Sequence, residues 1–279
     1  MPFDMTTFSG SSEAALSWEI PKYKLLRFAP KAHRYALVIP VINEGDRIRT
    51  QLKNIAANEF PIDIIIADGG SSDGSMEPGF LDSVETTALL VKDDRGRLSS
   101  QLRIAYSWCL QEGYDGIITI DGNGKDNLEA IHEFTKKLDQ GFDYVQGSRY
   151  LGGGRAVNTP WERTLANRVF HAPLLSIAGR HLFSDTTNGY RAYSARYLLD
   201  KRVKPFRDVF KNYELLFYLT IRAGQIGMKI CQVPVTRVYP GKGSPVPTKI
   251  NSISGLAGVL CQTISAAKGD FAPQTSECN

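Results

Sequence analysis

Cysteine and histidine are scarce in this 279-residue sequence, with four of each. Cys109, Cys231, Cys261 and Cys278 stand far apart with no C-x-x-C pair. That spacing argues against a zinc framework or disulfide scaffold and makes a reducing cytoplasm the expected setting. His33, His132, His171 and His181 lack metal-ligand spacing, so each reads as a solvated or internally satisfied imidazole. No run of about 18 apolar residues occurs, which excludes a transmembrane helix on this reading. The nearest approach, "ISGLAGVLCQTISAAKGDF", is broken by polar residues and reads as an amphipathic helix packed on the body, with a membrane surface as the alternative. Residues 1–33 carry Asp4, Glu13 and Glu19 and lack a basic segment followed by an apolar core, so they read as a partly ordered lead-in and not as a secretory signal. A net charge of +4 with no dense Lys/Arg block argues against nucleic acid and suits an anionic small molecule.

What is present is an ordinary globular composition, 42% apolar and 22% charged, at a length that fits one large α/β unit. Short apolar runs at "YALVIP" (35–40), "IDIIIAD" (62–68), "TTALLVK" (86–92), "GIITID" (116–121) and "DYVQG" (143–147) predict strands covered on both faces, as in a parallel sheet. Between them, Ile48, Leu52 and Ile55, then Leu98, Leu102, Ala105 and Cys109, then Leu128, Ile131, Phe134 and Leu138 fall on single helix faces. The alternation is that of a doubly wound sheet, whose ligands bind beyond the carboxyl ends of the strands. Further on, 161–179 and 212–224 predict helices, the second stopped by Gly224. A strand-like "MKICQVPVT" and the Pro/Gly-rich loop 239–249 follow. The second half is read as completing the site of one domain.

Polar residues gather where the predicted strands end, as "PVINEGD", "DGGSSDGS", "DGNGKD" and "GSRY". The glycines and serines of "DGGSSDGS" make a good turn, which leaves unexplained why Asp68 closes a strand at the ligand edge. "DGNGKD" fits neither a calcium loop, since Lys125 and Asp126 occupy the fifth and sixth places, nor a P-loop, and a hairpin lacks a partner strand. There remains a D-x-N clamp in which Asp121 and Asn123 give oxygen ligands to a hard divalent cation that also holds a diphosphate.

The motifs "PVINE", "IADGGSSDGS", "ITIDGNGKD", "VQGSRYLGGG", "TTNGYRAYS" and "CQVPVTRVYPGKG" occur in the order and at about the separations found in family-2 glycosyltransferases. The sequence most resembles the dolichol- and polyprenol-phosphate mannosyltransferase branch, over roughly residues 34–250. The resemblance implies a GT-A-type, Rossmann-like fold: a mostly parallel α/β sheet with helices on both faces, in a single domain over 34–250, followed by an amphipathic helix and tail over 251–279. It implies that Pro40, Val41, Asn43, Glu44 and Asp68 hold the nucleoside of a UDP- or GDP-linked sugar, and that Asp121 and Asn123 bind Mg²⁺ or Mn²⁺ and the diphosphate. Gly69 and Asn123 stand where relatives usually carry Asp, and Asp126 is the alternative ligand. It also implies that Arg149 and Arg163 serve a polyprenyl phosphate acceptor, with Arg237, Lys242 and Lys249 in a later basic stretch that closes over the site. The residues read alone agree: an acceptor phosphate is already an anionic nucleophile, so the site needs cations more than a strong base. Arg155, Arg168, Arg196 and Arg202 read as surface ion pairs. Inversion at the anomeric carbon and a cytoplasmic location, peripheral on the inner membrane face, complete the expectation. Two readings stay open beside it: transfer to a soluble sugar or small-metabolite hydroxyl, with Asp185 or Glu214 as base, and a nucleotide-sugar-binding module without turnover.

Overall fold

The computed structural model describes residues 17–241 and 253–273. Its contacts gather into two units: the described residues up to Gly124 with Pro205–Asn212, and Lys125–Lys204 with the described residues from Tyr213 onward.

In the first unit the chain runs through β1 (Tyr23–Arg27), β2 (Tyr35–Val41), α1 (Asp46–Ala56), β3 (Asp63–Asp68), α2 (Pro78–Ser83), β4 (Thr86–Lys92), α3 (Leu98–Gln111) and β5 (Gly116–Thr119). The strands lie in the order β1-β4-β3-β2-β5. All neighbours are parallel except β1, which runs antiparallel on β4. Leu37, Val38, Ile39, Ile65, Ile66, Ile117 and Ile118 are fully buried, which is why these runs read as continuously apolar. Parallel pairing sets Val41 opposite Asp68, so the ends of β2 and β3, together with the end of the parallel β5, share one edge. Strand β1, inside the expected lead-in, carried no predicted element.

Helix α3 departs from the one-sided burial its apolar spacing predicts, since every residue from Ser99 to Cys109 is buried. The reason is the 205–212 segment: Lys211 and Asn212 carbonyls accept from the Arg97 and Ser99 N–H groups at 2.7 and 2.6 Å. Arg103 reaches the Glu19 carbonyl and Asp208, each at 2.8 Å.

The second unit holds α4 (Ala130–Asp139), β6 (Tyr144–Ser148), β7 (Arg155–Val157), α5 (Trp161–Leu165), a π-helical segment Ala166–His171, α6 (Ala172–Gly179), β8 (Arg191–Ser194), α7 (Ala195–Leu199), α8 (Glu214–Gln225), β9 (Ile230–Pro234), β10 (Thr236–Val238) and α9 (Ile253–Lys268). Strand β6 lies between β8, antiparallel, and β9, parallel, while β7 pairs with β10. The predicted helix 161–179 is thus continuous but widened by one π segment just before Pro173. Proline has no N–H for the Val169 carbonyl and its ring crowds that carbonyl, so the turn opens. Gly224 is not a stop. It lies inside α8, where an added Cβ would come within 1.8 Å of the Gly179 carbonyl, so glycine is required by the close crossing of α6 and α8. Helix α9 packs on the body as expected: Ala266 joins Leu175, Phe217 and Ile221, and Thr263 Oγ1 lies 3.2 Å from His171 Nδ1. The mixed α/β architecture with a mostly parallel sheet is the one the sequence predicts. Among the described residues, no helix is long and apolar enough to cross a membrane.

Candidate active site

At the shared strand edge of the first unit, the loops after β2 and β3 are fastened to one another. Asn43 adopts a left-handed conformation (φ +49°), which its short amide side chain tolerates. Its N–H donates to Ser71 Oγ at 3.0 Å, and its Oδ1 accepts from the Ser72 N–H at 2.8 Å. The Gly45 N–H donates to Asp73 at 2.8 Å. Burial works against the Asp73 carboxylate, but hydrogen bonds from the Ser75 hydroxyl and from backbone N–H groups, Gly45 among them, outweigh it and lower its pKa. Asp68, buried at the end of β3, accepts the Ser71 N–H at 3.0 Å and its hydroxyl at 2.6 Å. Glu44 is ion-paired to Arg47 at 2.7 Å.

The "DGNG" loop after β5 rests on β2. A Cβ on Gly122 would meet Val41 Cγ2 at 3.0 Å, Ile39 Cγ2 at 3.2 Å and the Pro40 carbonyl at 3.2 Å, so only glycine lies flat here. Gly124 takes a φ of +68°. Gln51, buried on α1, clamps the loop from below: its Nε2 donates to the Asp121 carbonyl at 3.1 Å and its Oε1 accepts from the Gly124 N–H at 2.8 Å. Above this brace the half-buried side chains of Asp121 and Asn123 meet, Asn123 Nδ2 to Asp121 Oδ2 at 3.4 Å. No cluster of three or more His, Cys, Asp or Glu residues suited to a metal occurs among the described residues. A carboxylate and an amide supply two oxygen donors of the kind a hard cation takes, fewer than the six or more it requires.

Gly69 has a structural counterpart. Gln101 Nε2 donates to the Val41 and Ala67 carbonyls at 2.8 and 3.0 Å. A Cβ on Gly69 would lie 2.8 Å from that nitrogen, so the Gln101 amide occupies space a side chain at 69 would need.

The chain passes from the first unit to the second between Gly124 and Lys125, which divides "DGNGKD". In the second unit residues 125–127 run beside β10: the Val238 N–H donates to the Lys125 carbonyl at 2.8 Å, and the Asn127 N–H to the Thr236 carbonyl at 3.0 Å. Asp126 is buried and ion-paired to Arg237. The pair takes up Oδ2 of its carboxylate. Three cations surround the Tyr239 ring, with Lys125, Arg163 and Arg237 at 4.7, 5.9 and 5.7 Å from its centroid. The separations suit cation–π attraction, with Lys125, Arg237 and the ring itself buried. Lys242 and Lys249 lie outside the described residues.

Arg149 is buried and forked onto Asp185, Nε to Oδ2 at 2.7 Å and Nη2 to Oδ1 at 2.9 Å, with Nη2 also donating to Thr187 at 2.8 Å. Burial opposes its charge, and the hydrogen bonds and charge of Asp185 more than offset this, raising its pKa. Nη1 makes no hydrogen bond among the described residues. Asp185, one of two candidate bases for a hydroxyl acceptor, is thereby tied to a guanidinium, and Glu214 is buried as the first residue of α8. Of the arginines read as surface ion pairs, Arg196 and Arg202 are so, with Asp143 and Asp200 each at 2.7 Å. Arg168 instead lies over the Tyr150 ring at 5.5 Å, and Arg155 forms no ion pair among the described residues. Gln51, Gln101, Lys125 and Tyr239 carried no role in the sequence reading. Lys125 and Tyr239 sit inside quoted motifs, whereas the two glutamines carry no local signal.

No protein-family model matches the chain. It is 27% identical over 206 residues to a polyprenol monophosphomannose synthase of Mycolicibacterium smegmatis, covering 73% of this chain and 77% of that one. It is 26% identical over 207 residues to an undecaprenyl-phosphate mannosyltransferase of Micrococcus luteus, covering 74% and 84%. Its fold matches that of Mycobacterium tuberculosis glucosyl-3-phosphoglycerate synthase, a GT-A glycosyltransferase crystallised with Mn²⁺, UDP-glucose and phosphoglyceric acid, at a TM-score of 0.59 and 16% identity over 88% of this chain and 82% of that one. The GT-A fold and the resemblance to polyprenol-phosphate mannosyltransferases are therefore borne out.

Proposed function

We propose that the chain is a glycosyltransferase that moves a sugar from a nucleoside-diphosphate sugar, UDP- or GDP-linked, to a polyprenyl phosphate with inversion. The observation that carries this reading is the Asp121–Asn123 pair, braced by Gln51 at the strand edge it shares with Asn43 and Asp68. It is supported by two relatives whose names specify mannosyl transfer to polyprenyl or undecaprenyl phosphate. The fastened loops after β2 and β3 shape the nucleoside side, and Asp121 and Asn123 would hold Mg²⁺ or Mn²⁺ against the diphosphate. When bound, the cation neutralises charge building on the leaving group. The acceptor half of the reading falls to Arg149 and Arg163, with Arg237 and Lys125 beside Tyr239. A phosphate oxygen of the acceptor attacks the anomeric carbon as the bond to the diphosphate oxygen breaks, and the nucleoside diphosphate leaves. No proton need be removed, which agrees with an Asp185 given over to Arg149 instead of standing as a base.

Thermal unfolding in the presence of UDP or GDP, with and without Mn²⁺, tests the donor half. A nucleotide at about 100 times its Kd adds about 2.7 kcal/mol. One of the two should raise Tm in a Mn²⁺-dependent way, and Asp121→Ala should remove the metal-dependent part while leaving the ligand-free Tm unchanged. A folded Asp121→Ala protein with the full metal-dependent shift would overturn the assignment.

A further inference from the structure

We infer that Gln101 reads the base of the donor nucleotide: its amide, held by the protein through Nε2 alone, offers Oε1 as a fixed acceptor for the ring N–H that uracil and guanine carry. The inference rests on the donor half of the reading above and adds to it a residue outside the loops that carry that half.

Gln101 is buried in the opening turn of α3. The start of that helix is pinned, because the Arg97 and Ser99 N–H groups donate to the Lys211 and Asn212 carbonyls. From this fixed backbone, Nε2 donates to the Val41 carbonyl at the end of β2 and to the Ala67 carbonyl one residue before the end of β3, at 2.8 and 3.0 Å. Two carbonyls can be met only by the NH₂ end of the amide, so the side on which the oxygen lies is settled. A Cβ on Gly69 would come within 2.8 Å of Nε2 and 3.2 Å of Cδ, which sets the amide directly against the residue that follows Asp68.

Oε1 is left over. It accepts no hydrogen bond among the described residues, and it is not sealed from water. The neighbouring carboxylates are already engaged by the protein, Asp68 by the Ser71 N–H and hydroxyl and Asp73 by the Gly45 N–H and the Ser75 hydroxyl. An acceptor held in one orientation attracts a ring N–H and repels the lone pair of a bare ring nitrogen. Uracil at N3 and guanine at N1 present the first, while cytosine at N3 and adenine at N1 present the second. A site built around such a hydrogen bond rejects a ligand that lacks it more strongly than an apolar pocket rejects a ligand of slightly different shape.

The test is calorimetric titration of the full chain with UDP, GDP, CDP and ADP, and with N3-methyl UDP and N1-methyl GDP, in which the N–H is lost. Wild type should bind UDP or GDP, bind CDP and ADP at least about tenfold more weakly, and lose about tenfold when the better-bound base is methylated. Gln101→Ala should lose about tenfold in affinity for the parent nucleotide and no longer distinguish it from the methylated form. It also strips a donor from the Val41 and Ala67 carbonyls, so its Tm should fall. The double variant Gln101→Ala, Gly69→Asp puts a carboxylate acceptor where the amide lay. A carboxylate cannot donate to the two carbonyls, so Tm should stay low while the preference for the parent base returns. Equal binding of parent and methylated nucleotide by wild type, a measurement that needs no variant, would overturn the inference. So would a folded Gln101→Ala protein that keeps the discrimination, or a double variant that regains Tm without it, since Gln101 would then be a structural tie only. Nucleotide binding that ignores base and methyl group alike sinks the base reading alone, whereas a wild type that binds none of the nucleotides sinks the donor half of the function and this inference with it.

Discussion

Replacing Arg149 confronts stability and function at once, and the structure shows how to separate them. Asp185 is fully buried and its carboxylate is matched by the Arg149 fork. Arg149→Met strands that carboxylate and Asp185→Leu strands the guanidinium, each at about 3–5 kcal/mol, the usual cost of an unpaired buried charge. With an unfolding entropy of roughly 0.6 kcal/mol per kelvin for a chain of this length, either variant should lose about 5–8 °C in Tm. The double variant Arg149→Met, Asp185→Leu replaces the pair with apolar volume and should recover most of that loss. Function should not recover with it. If Arg149 holds the acceptor phosphate through its remaining N–H groups, transfer by the double variant should stay about 30- to 1,000-fold below wild type, equivalent to about 2–4 kcal/mol, while nucleotide affinity by calorimetry is unchanged. The assays are thermal unfolding of all four proteins, calorimetric titration with nucleotide, and transfer to a short-chain polyprenyl phosphate. A stable double variant with wild-type transfer would refute the reasoning and leave Arg149 a structural group. Loss of nucleotide affinity would move it to the donor diphosphate.

Other expectations follow from single contacts. Asn123→Asp replaces an amide ligand by a carboxylate and should lower the Mn²⁺ concentration for half-maximal activity; an unchanged requirement in a metal titration would make Asn123 a turn residue only. Gln51→Leu keeps the volume but removes both bonds to the "DGNG" loop, so it should cost about 1–3 kcal/mol of stability and raise the metal requirement, whereas a Tm loss with an unaltered metal titration would limit Gln51 to a packing role. His171, whose pKa burial holds below the ordinary histidine value, sits against Thr263 of α9. The unfolded chain binds its proton more readily, so this stabilisation is complete above the unfolded value near pH 6.5 and is lost as pH falls through the window below it. Denaturant midpoints measured across that range should fall less with acid for His171→Gln than for wild type, and identical slopes would show that another group is responsible.

Much of the first unit could be read directly because its buried parallel strands are continuous apolar runs: "TTALLVK" is β4 residue for residue, and β2 and β3 differ by one residue at an end. What escaped depends on partners distant in sequence. Strand β1 is stabilised by pairing with β4, and the full burial of α3 comes from residues 205–212. Gly224 looked like a helix stop because local rules cannot see Gly179 crossing it. The place of Asp121 and Asn123 just beyond β5 was legible from the apolar run that precedes them. The brace of Gln51 and the Gln101 amide beside Gly69 were not, since an isolated glutamine carries no pattern. Arg237 pairs with Asp126, a contact between residues 111 apart in sequence that no local pattern announces. Arg191, inside the "TTNGYRAYS" motif, is likewise an internal tie, bonded to the Thr186, Asn188 and Leu216 carbonyls.

The central claim is tested most directly by following the label from a panel of UDP- and GDP-linked radiolabelled sugars in the presence of Mn²⁺ and a short-chain polyprenyl phosphate. With one of these donors, label should pass into the organic phase as an acid-labile glycosyl phosphate, with one nucleoside diphosphate released per sugar transferred. Polyprenol lacking the phosphate should accept nothing. Saturable donor binding with no nucleotide release would mark a binding module, and transfer to a neutral hydroxyl with the polyprenyl phosphate ignored would contradict the account.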